Sequence, residues 1–88
     1  MPTVLRVGPY RFFFYSNDRL EPPHVHVEHG RAQVKFWLAP ARLAWSRGFK
    51  GHEVNEIERI VLDHERELGE SWDEYFSGRT VVGDSDVG

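Results

Sequence analysis

The stretch Glu21-Pro22-Pro23-His24-Val25-His26-Val27-Glu28 limits the fold more than any other. The two prolines hold the chain extended, and Pro22 also drives Glu21 out of the helical region. Alternating residues follow, so the run enters a strand. Side chains on a strand alternate between faces. His24, His26 and Glu28 therefore share one face, and Val25 and Val27 share the other. Burial accounts for the valines. What the histidines meet on their own face is the functional question.

The neighbouring segments supply more strands. Thr3 to Val7 reads as a short one, ended by the Gly8-Pro9 turn signal. Tyr10 to Tyr15 is a strongly aromatic run that suits a central strand. Tyr10, Phe12 and Phe14 lie on one side of it, and Arg11, Phe13 and Tyr15 on the other. His29-Gly30-Arg31 has hairpin chemistry. Ala32 to Leu38 returns with Val34, Phe36 and Leu38 on its apolar side. In Ala41 to Arg47, Leu43 and Trp45 alternate as in a fifth strand, while the alanines suit a helical turn. From His52 the period becomes helical: Val54, Ile57, Val61, His64, Leu68, Trp72 and Tyr75 recur at spacings of three and four. Gly69 is the expected site of a kink or split, and Gly78 the end of the helix.

These elements predict a single α+β domain over residues 1–78, an antiparallel sheet of four or five strands with one long C-terminal helix packed on one face. Residues 79–88 read as a disordered tail. The chain has 88 residues and no cysteine, which excludes disulfides and thiolate metal sites. It shows neither a signal peptide nor a membrane-spanning run, so a cytoplasmic protein that does not enter the membrane is expected. The net charge is −3, with the basic residues concentrated before residue 51 and the acids after it. Two complementary solvated surfaces would explain that division, and so would a basic sheet face facing a polyanion.

With the valines turned to the helix, His24, His26, Glu28, Gln33, Lys35 and Trp37 fall on the second face, joined by Arg11, Phe13 and Tyr15. Imidazoles can pass protons near neutral pH. His24 and His26 are thus candidate catalytic groups for attack by a ribose hydroxyl on its own phosphate, with Tyr15 beside them. Arg11, Arg31 and Lys35 would hold phosphate, and Tyr15 and Trp37 would stack or position bases. Asp18, Glu28 and His64 are possible supporting groups. The same pair, completed by Glu28, Asp18 or His64, could hold a divalent ion. That reading ranks third, and neither a metal nor a cofactor is expected. His64 lies on the apolar helix stripe, where a histidine more often bonds a carbonyl. Two strand histidines also fit a protein interface, and exposed sheet edges allow a homodimer.

Several of these residues together resemble one bacterial family. They are the opening Met1-Pro2-Thr3-Val4, Phe14-Tyr15, Asp18, Pro22-Pro23-His24-Val25-His26, Gly30, His64-Glu65-Arg66-Glu67-Leu68 and Trp72. The family is the domain of unknown function family numbered 4160, and the resemblance runs from Met1 to about Phe76. It implies a small prokaryotic α+β domain. It also implies a second small gene alongside, of the family numbered 2442, hence a toxin–antitoxin module with this chain as the toxin and a small antitoxin-like protein as partner. Gly51-His52 departs from the family pattern, which has a proline near the helix start. The combined expectation is a toxin-like component acting on RNA through an open sheet face, as a metal-independent ribonuclease or RNA binder. The alternative is a non-enzymatic module that pairs with a small partner protein.

Overall fold

The computed structural model describes residues 3–15, 20–38 and 40–77. Asp18 and the tail from residue 79 lie outside them, as does Gly78. Five strands form one antiparallel sheet: β1 (Thr3–Val7), β2 (Tyr10–Phe13), β3 (His24–His29), β4 (Ala32–Trp37) and β5 (Arg42–Arg47). Their order in the sheet is their order in the chain. Residues 42–47 are therefore a strand and not a helical turn. Gly30 closes the β3–β4 hairpin at φ 62°, where a residue without Cβ is unstrained.

Strand parity decides what is buried. Phe12, Phe14, Val25, Val27, Val34 and Phe36 turn to one side and are fully buried. Ile57 and Val61 from the first helix and Leu68 and Trp72 from the second join the same core. Burying each large apolar side chain contributes about 1.5–3 kcal/mol before chain entropy is counted.

The expected single helix is two helices, α1 (Gly51–Asp63) and α2 (Glu65–Ser77). The break falls at His64, at φ −115° and ψ 19°, and Gly69 lies inside α2. At the break the Ile60 carbonyl oxygen is shared: the His64 Nδ1 bonds it at 2.8 Å and the His64 N–H at 3.1 Å, while that N–H also reaches the Val61 carbonyl at 3.2 Å, a tightened last turn. The Leu68 N–H still reaches the His64 carbonyl at 2.8 Å, so the interruption is one residue long. At the start of α1, the Glu53 carboxylate accepts the Lys50 N–H at 2.7 Å, satisfying a donor that helix geometry leaves over. At the start of α2, the Glu65 carboxylate accepts the Ala41 N–H at 2.9 Å and ties the helix to the β4–β5 turn. Among the described residues, no helix is long and apolar enough to cross a membrane.

Candidate functional site

The second face of the sheet is built in three cross-strand rows. Phe13, His26, Lys35 and Trp45 pair in sequence across β2 to β5. Arg11, Glu28, Gln33 and Arg47 form the next row, and His24, Trp37 and Arg42 form the third. The expected grouping of His24, His26, Arg11, Lys35, Trp37 and Glu28 on one face is therefore present.

The face is not open over the histidines, which corrects the expectation of an accessible surface there. His24, His26 and Lys35 are 0%, 5% and 8% exposed, and Phe13 is fully buried. The neighbours explain this. The His26 ring stacks on Phe13 at 5.5 Å and meets Tyr15 edge-on at 4.6 Å. The His24 ring crosses His26 at 5.1 Å and 86°, and lies 5.6 Å from Trp37. Trp72 of α2 comes within 5.1 Å of it. The His24 Nδ1 bonds the Pro22 carbonyl oxygen at 2.8 Å, so the double proline also orients the imidazole.

The two cations beside the histidines, Arg11 and Lys35, are engaged within the molecule. Arg11 donates to Glu28 at 2.7 Å and to the Thr3 hydroxyl at 2.6 Å, with its guanidinium over the Phe13 ring. Lys35 donates to Glu21 at 2.5 Å and lies over the Trp37 ring at 4.4 Å. Gln33 donates to the Tyr15 hydroxyl at 3.3 Å. Charge-assisted bonds of this kind are the strong ones, and an incoming phosphate would have to displace the two carboxylates.

The family model described as Domain of unknown function (DUF4160) matches residues 10–73. The chain belongs to this family. No curated protein and no solved structure matches it. The DUF4160 match runs from the start of β2 into α2 and includes the histidine-face residues of β2 to β5, while Thr3 and Arg6 of β1 precede it.

Within the DUF4160 domain, the remaining predicted groups are dispersed. Arg31 is exposed in the β3–β4 turn, at the opposite end of β4 from Trp37. The two are six positions apart along the strand, about 20 Å at the usual rise. His64 sits at the helix junction on the Ile60 carbonyl. Among the described residues, no group of three or more histidine or carboxylate side chains could hold a metal ion. Sequence reasoning missed Glu21 as the partner of Lys35 and Trp72 as a neighbour of His24. Helical spacing signalled that Trp72 would be buried, but carried no sign that it would meet an imidazole. Trp45 was missed for another reason: its face depends on a register shift in β5.

Proposed function

We propose that this DUF4160 domain is a non-catalytic module of the cytoplasm that pairs with a small partner protein, the antitoxin-like product that the family resemblance implies. One observation carries the reading: the histidine face is filled from within. A proton-transfer group must come within hydrogen-bond reach of its substrate, and His24 and His26 are 0% and 5% exposed. Large apolar side chains are instead exposed on the edge strand β5, where Leu43 and Trp45 stand at 48% and 38%. Exposed aromatics beside arginine are typical of protein interfaces. Co-expression with the small protein encoded alongside, followed by size-exclusion chromatography with light scattering, tests the reading. One complex of fixed stoichiometry is expected. Two separate peaks at micromolar concentration would refute it.

A second reading, a toxin-like component acting on RNA, draws on the crossed His24 and His26 rings with Tyr15 beside them. Withdrawal of Glu21 would uncover Lys35 for phosphate. Growth arrest by the parent, but not by His24→Asn or His26→Gln at matched soluble expression, would favour it. Unimpaired growth with abundant soluble protein would count against it.

A further inference from the structure

We infer that β5 is the docking element, and that it accepts an acidic, extended segment of another protein as a sixth strand. This rests on reading the domain as a partner-binding module. β5 is last in the sheet order, so one side of its backbone faces away from β4. Arg42, Leu43, Trp45, Ser46 and Arg47 are all exposed. Such an edge is a template for strand addition, with backbone bonds supplying affinity and side chains supplying selectivity.

The register of β5 selects the partner. Lys35 pairs with Trp45 but Phe36 pairs with Leu43, so Ala44 is an extra residue. A bulge of this kind re-aims the side chains beyond it. Here it puts Arg42 on the same face as Trp45 and Arg47, which strict alternation would forbid. The result is a cation–aromatic–cation stripe, with the Arg47 guanidinium 5.6 Å from the Trp45 ring. Among the described residues, neither arginine is in an ion pair. This contrasts with Arg11 and Lys35 on the inner strands, which carboxylates already hold. The strand contains no acid of its own.

The same charges disfavour a second copy. Full antiparallel overlap of two β5 strands would set Arg42 opposite Arg47, and like charges directly opposite are destabilising. RNA is disfavoured by the net charge of −3 and by the acids of α1 and α2. At the start of β5, Arg42 lines a cavity of about 360 Å³ with Pro22, Pro23, Trp37, Leu38 and Pro40. An apolar side chain at the end of the added strand would fit there.

Fluorescence anisotropy with three labelled probes tests the inference: a short peptide alternating glutamate with valine, its lysine counterpart, and an oligouridylate. The parent is expected to bind the glutamate peptide at least about tenfold more tightly than the lysine peptide, and Arg42→Glu/Arg47→Glu to reverse that preference. Equal binding of the two peptides, or a preference unchanged by the reversal, would overturn it. Binding of the oligouridylate alone would make the stripe a nucleic-acid surface, and a parent dimer altered by the reversal would make it a self-interface. Either result also overturns the inference. Should the small partner protein bind the parent and the double variant equally, the module reading stands and the assignment to β5 falls. Should it bind neither, the module reading falls.

Discussion

Glu21 holds Lys35 across the entry to β3: its Oε1 lies 2.5 Å from Nζ, and the His24 Nδ1 is 3.8 Å from the same oxygen. The contact lets a lysine sit at 8% exposure within a sheet face. Glu21→Gln should cost about 1–3 kcal/mol in urea unfolding, because it leaves a buried cation short of its counter-charge. The half-exposed Glu21 carboxylate keeps the loss below that of a fully buried pair. Glu21→Gln/Lys35→Met should recover part of it. Equal stability of parent and Glu21→Gln would mean that the pair contributes nothing.

Tyr10 gives the fold a sensitivity to alkali. Burial holds its hydroxyl above the ordinary 10.0, helped by the bond it donates to Glu56 at 3.1 Å and by the Glu56 and Glu53 charges. Since the folded value exceeds the unfolded one, this stabilisation is complete below the unfolded value and is lost as pH rises through the folded value. Stability of the parent should therefore fall more steeply above about pH 10 than that of Tyr10→Phe. Parallel pH profiles would remove Tyr10 from the account.

Gly69 stands within α2, and a Cβ built on it meets nothing within 4 Å. Gly69→Ala should stabilise the domain by about 0.5–1 kcal/mol through helix propensity. A rise in thermal midpoint is the expected readout, and a fall would show that the glycine is needed for packing.

Gly48 should respond in the opposite sense. Its φ is +88°, and an added Cβ would lie 3.1 Å from both Cα and Cβ of Ala32. Gly48→Ala should destabilise by more than about 1 kcal/mol, combining backbone strain with the close approach. An unchanged unfolding midpoint would contradict that geometry.

Much of this was legible in the sequence because strand parity is a strict rule. The separation of Val25 and Val27 from His24 and His26 followed from it, as did the shared face of Arg11, Lys35 and Trp37. Local rules gave less where distant groups compete. A helix stripe does not report that the helix will break at His64, or that its ring will share the Ile60 carbonyl with its own N–H. Parity likewise places the histidines on a face but does not say that Phe13, Tyr15 and Trp72 will close round them. The placement of Arg42 required a bulge at Ala44, which alternation alone cannot show.

The consecutive strand order also bears on how the molecule is made. Each strand pairs with the one synthesised just before it, so every ladder closes over a short stretch of chain and the sheet can assemble progressively. The two helices come last. While they are being synthesised, on the order of seconds, the sheet carries Phe12, Phe14, Val25, Val27, Val34 and Phe36 on an unroofed surface. The nascent domain is thus most prone to aggregate just before α1 docks, and a chain truncated after β5 would carry that hazard permanently.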